Sequence, residues 1–463
     1  MTRFSRRALL VVLIAYLAFA GYILGRFANN AFPTYYLARP LVIVAPLAVL
    51  IGVLAQWRFP TQGPLVASAA VAALSLWATW TRHWTEILLG GTALLVAFLV
   101  VWWRQRRRPS VPRAASTAAT AFVVVFFLSG VIRAVLSAEG PISPVVPGQA
   151  ATGPNLYLVL LDAYPRRDTL MNDMGIDNGP FEDALAARGF DLYDDAHTDR
   201  RYTDFTLLTL LTGTTAGVPP DSDLNFAGQW QLRKDLSEAA LPRQAQEAGY
   251  EYHVIDSPAG HVTFSAGIHI EHGGINTLEE YMLAESVFGP IVKAFLPYLP
   301  TDSLRDHFEA SVASLLSLVD PDAHRLVLAH FFQPHLPFLW DADGNPLPAP
   351  SFWPQVKLLA GQIEVMGITL PEYAASMQAE LTTLNRRLLA MVDEIVARDP
   401  GAVIVLFSDH GARYSLALED TEWYRSFLAA RTPGHPDLFA SEPTPTALLR
   451  TLLPLYVTGG RAP

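Results

Sequence analysis

Residues 402–413 read AVIVLFSDHGAR: six apolar residues, then an abrupt stop at Ser408, a carboxylate at Asp409 and an imidazole at His410. A short, uninterrupted apolar run closed by turn-forming residues fits a strand buried on both faces. The pattern recurs. NLYLVLLD (155–162) ends on Asp162, YEYHVID (250–256) is a further strand, and so is RLVLAHFF (325–332). Between them FEDALAARGF and the long stretch 370–398 carry helical periodicity. Apolar strands alternating with helices predict an α/β domain with a mostly parallel central sheet covered by helices on both faces. Ligands gather outside the carboxyl ends of the strands in such sheets. Asp162, the residues after AHFF and the Asp409–His410 pair are therefore expected on one rim.

That rim carries hard oxygen and nitrogen donors, the ligand types suited to zinc, manganese or another first-row divalent ion. For any one aspartate the alternative is a strand-end polar residue capping the turn that follows. Three such endings in one sheet favour the ligand reading.

The chain has 463 residues, 51% of them hydrophobic, and the excess lies before residue 137. Five apolar blocks stand there, at roughly 8–25, 39–56, 64–80, 87–103 and 116–136. Each approaches the ~20 residues a helix needs to cross a bilayer, so five spans are expected. A cleaved leader is the alternative for the first block, after MTRFSRR, although no small-residue cleavage site precedes RFANN. Arg3, Arg6 and Arg7, Arg58, and the segment RQRRRPSVPR fall on one side of a five-span layout. Arginine-rich short loops stay cytoplasmic, which puts the C-terminal two thirds outside. The expected organisation is a transmembrane domain at 1–137, a linker at 138–154 (AEGPISPVVPGQAATGP), and an extracytoplasmic domain at 155–463.

Charge follows the same division. Residues 1–150 hold 13 Lys/Arg and 2 Asp/Glu, leaving 20 of the 33 basic and 41 of the 43 acidic residues to the remainder, a net of −21. Such a domain repels nucleic acid. With no cysteine, disulfide staples and thiol catalysis are excluded.

NLYLVLLDAYPRRD, AHTDRRYTDFTLLTLLTG, HFFQPHLPF and VLFSDHGAR occur in the order and approximate spacing of the alkaline phosphatase superfamily. The chain resembles its sulfatase-like branch, which includes membrane-anchored phosphoethanolamine and phosphoglycerol transferases. The resemblance runs from about 155 to about 435, and SDHG after an apolar strand is its most specific part. It implies a divalent metal, zinc or manganese before calcium or magnesium, held by Asp162, Thr203, Asp409 and His410. Asp162 takes the first acidic ligand's place, and Ala163 stands where sulfatases have a second aspartate. The implied nucleophile is Thr203, with Thr206 as fallback. A hydroxyl at a helix N-terminus lies near N–H donors and the positive end of the dipole, which favours a bound anionic group. The alternative for Thr203 is a plain N-cap.

His335 matches a histidine that binds a second metal or the transferred group, with His330 the alternative. Arg166 and Arg167 are placed to neutralise a phosphate or to form solvated salt bridges. A further family histidine a dozen residues after the Asp–His pair is replaced here by Glu422, with His435 the next one along. His269 and His272 have no assignable role. Sulfatases proper need a Cys/Ser-x-Pro-x-Arg segment for formylglycine, and Thr203-Asp204-Phe205-Thr206 contains neither the Cys/Ser nor the proline.

The expected function is transfer or hydrolysis of a phosphoryl-type group on a membrane lipid or lipid-linked glycan of the bacterial envelope. The alternatives are a sulfate or phosphate ester hydrolase and a catalytically degenerate scaffold in envelope assembly. Substrate choice is assigned to the loops 257–302 and 340–368, which hold no readable motif. Neither the oligomeric state nor the donor is legible.

Overall fold

The computed structural model describes residues 3–30, 34–75, 111–137, 151–220, 226–257, 268–270, 278–279, 282–283, 295, 298–348, 361–418 and 420–458. The chain separates into two compact units, Met1–Ala138 with Ile275–Leu296, and Glu139–Gly274 with Pro297–Pro463.

The first unit contains α1 (Arg3–Asn30), α2 (Ala38–Arg58), α3 (Gly63–Ser75) and α4 (Val111–Ser137). Helix α1 packs against the other three, burying Ile14, Ala15, Phe19, Ile23 and Phe27. At Gly52 a Cβ would lie 2.5 Å from the Val12 Cα, so only glycine lets α2 approach α1 this closely. Val42, Ile43 and Leu50 on α2, and Phe122, Val125 and Ile132 on α4, turn outward as apolar side chains suited to lipid. Among the described residues, three helices are long and apolar enough to cross a membrane: Arg6–Ala28, Ala38–Arg58 and Ser116–Val135. Of the third expected span, at 64–80, the described part lies in the apolar helix α3, and residues 76–80, like the fourth span at 87–103, lie outside the described residues. Glu279, in the segment that groups with these helices, forms an ion pair with Arg39.

The second unit is built on a seven-stranded sheet in the order β2-β7-β6-β1-β5-β3-β4. The strands are β1 (Leu156–Leu161), β2 (Asp191–Leu192), β3 (Glu251–Ile255), β4 (Ile268–Ile270), β5 (Arg325–Phe331), β6 (Val403–Phe407) and β7 (Leu428–Arg431). Its helices are α5 (Arg167–Met174), α6 (Gly179–Ala186), α7 (Thr203–Thr212), α8 (Phe226–Ser237), α9 (Ala240–Glu247), α10 (Leu299–Ser317), α11 (Gln362–Met366), α12 (Leu370–Arg398) and α13 (Pro445–Leu452).

Strand β1 is LYLVLL, buried at every position because β5 and β6 flank it and helices cover both faces. On one face Leu156, Leu158 and Leu160 join Leu207, Leu210 and Leu211 of α7 and Leu448, Leu449 and Leu452 of α13. On the other, Phe331 meets Phe308 of α10 edge-on, and α10 packs against α12. Helix α12 starts where the sequence expects it. Thr369 and Glu372 form a reciprocal capping box, satisfying two backbone N–H groups that the first turn would otherwise leave unpaired.

The β1, β3, β4, β5 and β6 pairings are parallel, whereas β7 runs antiparallel to β6, and β2 antiparallel to β7. The expected sheet is thus mixed at one edge. Register then places the site. Leu160 lies opposite His330 on one side and Phe407 on the other, so β1, β5 and β6 end level and their next residues share one rim.

Candidate metal centre

Asp162 leaves β1 directly, and its N–H extends the ladder by one bond to the Phe331 carbonyl (3.0 Å). The chain then turns at Ala163, whose φ of +62° is left-handed, a conformation that costs an L-residue about 1–2 kcal/mol. The turn aims the Ala163 N–H at Asp409 Oδ1, 3.1 Å away. The position where a second aspartate was missed therefore contributes a backbone donor that orients Asp409.

The strand-end loop after β6 is fixed from within. Ser408 Oγ accepts the Tyr164 N–H (2.8 Å) and donates to the His410 carbonyl (2.9 Å). Gly411 donates to the Trp423 carbonyl at 2.7 Å, and a Cβ there would fall 2.1 Å from the Glu422 carbonyl oxygen. Only glycine passes through this contact. The His410 ring donates from Nδ1 to the Gly411 carbonyl (2.9 Å), which leaves Nε2 with a lone pair and no proton.

That lone pair faces two carboxylates. Asp162 Oδ1 lies 3.4 Å from His410 Nε2, and Asp409 Oδ2 lies 3.6 Å from it. Both oxygens are buried without a hydrogen-bond partner. Three acceptors converging in a buried place repel one another unless a cation stands among them. Ligands around a tetrahedral zinc with ~2.1 Å bonds are separated by about 3.4 Å. The spacing, the orphaned oxygens and the mixed oxygen and nitrogen donors all fit a divalent ion. Among the described residues, Asp162, Asp409 and His410 alone form such a group of three.

The surrounding groups tune it. His330 Nε2 donates to Asp162 Oδ2 (3.1 Å), turning Oδ1 toward the cluster. Burial opposes ionisation of Asp162, but His335, His330 and His410 outweigh it and hold the carboxyl below its usual range. Burial, reinforced by the Arg413 charge, pushes His410 down to about 4, which keeps Nε2 unprotonated at neutral pH; the Arg413 guanidinium rests against it in this structure. His335, buried beside the His410 ring (6.4 Å between centroids), donates from Nδ1 to the Leu336 carbonyl (2.8 Å) and so also presents a bare Nε2. Burial lowers its pKa as well.

Helix α7 reaches the rim through Thr206. The Thr206 hydroxyl donates to the Asp409 carbonyl (2.8 Å) in a fully buried setting, so this threonine fastens the helix start to the Asp–His loop. Thr203 is half-buried in the first turn of the same helix, directly after the extended residue Tyr202.

Other expected residues have different partners. Arg166 grips Asp168 through two bonds (2.8 and 2.7 Å) and donates to the Ala196 carbonyl, with no described link to the three ligands. Glu422 pairs with Arg425 (2.9 Å) and accepts from Thr169. The His435 ring meets Tyr456 edge-on. His272 lies outside the described residues, as does most of 258–297 and 349–360.

Two residues escaped the sequence reading. Arg413, three places after His410, is buried, and its guanidinium contacts His410 Nε2. Its only signal was the end of the quoted stretch. Glu380 of α12 is buried and holds the segment after His335 through the Leu339 and Trp340 N–H groups (2.6 and 3.2 Å). A lone glutamate on an amphipathic helix gives no signal at all.

No family model matches the chain, and no curated protein does. Similar solved structures include the C-terminal periplasmic domain of EcEptC from Escherichia coli in complex with Zn, 17% identical over 68% of this chain and 87% of that one, TM-score 0.39. Another is the integral membrane lipooligosaccharide phosphoethanolamine transferase A (EptA) from Neisseria meningitidis, 12% identical over 93% of this chain and 76% of that one, TM-score 0.41. A third is the phosphonate monoester hydrolase of Agrobacterium radiobacter, 15% identical over 65% of this chain and 73% of that one, TM-score 0.40.

Proposed function

We propose that the chain is a membrane-anchored, metal-dependent enzyme of the alkaline phosphatase superfamily, in its sulfatase-like branch. In this reading residues 1–137 anchor it in the bacterial cytoplasmic membrane, and residues 155–463 work on the outer side. It transfers or hydrolyses a phosphoryl-type group on an envelope lipid or lipid-linked glycan. The observation that carries the reading is the convergence of two unpartnered buried carboxylate oxygens and an unprotonated imidazole nitrogen beside the start of α7.

Asp162, Asp409 and His410 would hold a divalent ion, and the Thr203 hydroxyl would serve as a further ligand. A bound divalent ion supplies Lewis-acid charge stabilisation and lowers the pKa of a coordinated hydroxyl. Thr203 Oγ attacks phosphorus in line; the new Oγ–P bond forms as the bond to the leaving alkoxide breaks. His335 Nε2 takes the hydroxyl proton and returns it to that alkoxide. An acceptor hydroxyl, or water in the hydrolytic variant, then displaces Thr203 and restores the enzyme. The first-turn N–H groups of α7 face the charge that develops on the phosphoryl oxygens. Membrane anchoring raises the local concentration of a donor that stays in the bilayer.

Incubation of purified protein with envelope lipid extract, followed by peptide mass spectrometry, tests this. The expected result is a phosphoryl-type adduct on Thr203 that is absent in Thr203→Ala. Turnover of a donor with no adduct, or equal turnover by Thr203→Ala, contradicts it. A second reading, a scaffold without chemistry, draws on Arg413, whose charge already meets His410 Nε2. It expects no bound metal.

A further inference from the structure

The chain leaves the second unit after β4 and returns to it just before α10, and in between Ile275–Leu296 group with the membrane helices. One contact fixes where this excursion goes. Arg39 donates from Nε and from a terminal nitrogen to the two carboxylate oxygens of Glu279, a forked pair that sets orientation as well as distance. Arg39 is the second residue of α2. A short connection joins α1 to α2, and Gly52, late in α2, lies against Val12, early in α1, so the two helices run antiparallel. The start of α2 is therefore at the opposite end from Arg3, Arg6 and Arg7. In the five-span layout that end is the outer boundary of the bilayer.

The side chains of the excursion suit such a boundary. Leu278, next to the ion pair, is fully buried, and Met282 and Leu283 are half-buried. Phe295 is the opposite case: at 78% it is the most exposed large apolar side chain of the described residues. Val42, Trp57, Phe122 and Val135, among the next most exposed, all lie on helices of the membrane unit. In the second unit the described large apolar side chains that are exposed are Met171, Ile268, Tyr298 and Leu416, and two of these flank the excursion, Ile268 on β4 and Tyr298 at the start of α10. Aromatic rings gain at the headgroup layer of a bilayer the burial that water denies them.

Charge narrows the kind of surface. INTLEEYMLAESVFGPIVKAFL (275–296) is mostly apolar and carries three glutamates and one lysine. An anionic lipid surface does not attract such a segment, so apolar burial has to hold it.

We propose that the excursion between β4 and α10 is a membrane-surface segment: Phe295 enters the outer face of the bilayer, and the Arg39–Glu279 pair holds the segment at that level. Its partner is the lipid surface itself, whatever the headgroup charge. The inference rests on residues 1–137 being the membrane anchor and is independent of the chemistry of the metal centre.

The chain has no cysteine, so a single introduced one carries a nitroxide spin label without background. Full-length protein labelled at Phe295→Cys, Ile43→Cys or Glu394→Cys is reconstituted in phosphatidylcholine vesicles. Relaxation of each label by oxygen, which concentrates in lipid, is compared with relaxation by a water-soluble nickel chelate. Ile43 is exposed on α2 and sets the lipid standard; Glu394 is exposed on α12 and sets the aqueous one. The label at 295 follows the lipid standard, with oxygen outweighing nickel. Adding Arg39→Glu shifts it toward nickel, and Arg39→Glu combined with Glu279→Arg shifts it back. If the Arg39→Glu protein does not fold, Arg39→Gln and Glu279→Gln carry the comparison, both shifted toward nickel. A label at 295 relaxed mainly by nickel, or shielded from both reagents by a second copy of the chain, overturns the proposal, as does oxygen-type relaxation that arises only when anionic lipid is added. A 295 label unmoved by Arg39→Glu, or by both substitute variants, overturns the role of the ion pair. Nickel-type relaxation at 43 defeats the reading of 1–137 as an anchor instead.

Discussion

Glu380 and Asp162 are both buried carboxyls of the second unit, and although burial opposes the ionisation of each, they end in opposite states. Glu380 stands alone: Oε2 accepts two backbone N–H groups, Oε1 has no partner, and burial pushes its pKa up to about 8, so at neutral pH it keeps its proton. Asp162 is as deeply buried, but three imidazoles surround it and hold it ionised. Both places contain an unsatisfied carboxylate oxygen. At Glu380 the oxygen is isolated and protonation resolves the cost. At Asp162 it converges with Asp409 Oδ2 and His410 Nε2, and a cation resolves it better. Convergence, rather than burial, separates the candidate cation site from a structural carboxyl.

Substitutions test that contrast. Asp409→Asn removes one of the two charges and is expected to abolish bound metal and bring turnover to background, since several kcal/mol of charge stabilisation go with the ion. Retained metal in that variant breaks the comparison. Thr203→Ala is expected to lower turnover by on the order of 10³-fold while metal content stays at the wild-type level, separating chemistry from coordination. His330→Ala frees Asp162 to rotate, and metal affinity should fall roughly 10–100-fold in a competition titration.

Glu380→Gln should leave metal and neutral-pH turnover unchanged and alter only stability. Glu380 in the folded chain has a pKa near 8, above its ordinary 4.5, so the native state binds the extra proton between those values. Its contribution is complete below about pH 4.5 and is lost as pH rises through about 8. Chemical unfolding across that window should show wild-type stability declining by up to a few kcal/mol and Glu380→Gln declining less. An unchanged slope removes Glu380 as the contrasting case.

The sequence made the parallel strands legible because β1, β5 and β6 are apolar at consecutive positions, which only a doubly covered sheet tolerates. It made Asp162, Asp409 and His410 legible because polar residues ending such strands must share a rim. Strand β7 was hidden: LAAR is short and alanine-rich, and its antiparallel direction depends on where the loop after Gly411 returns. The inward turn of Arg413 was hidden for a similar reason. Its burial depends on Tyr202 and Trp423, aromatic residues remote from it along the chain, and no local pattern encodes that meeting. Arg166 was read, from its proximity to Asp162 in sequence, as a phosphate partner or a salt-bridge residue, and the structure pairs it with Asp168, two residues on.

Elemental analysis of the purified full-length chain beside the Asp409→Ala, His410→Ala double variant addresses the central claim most directly. The account predicts about one zinc or manganese per wild-type chain and none in the variant. Metal absent from a folded wild-type protein loaded with either ion, or retained equally by both chains, would contradict it.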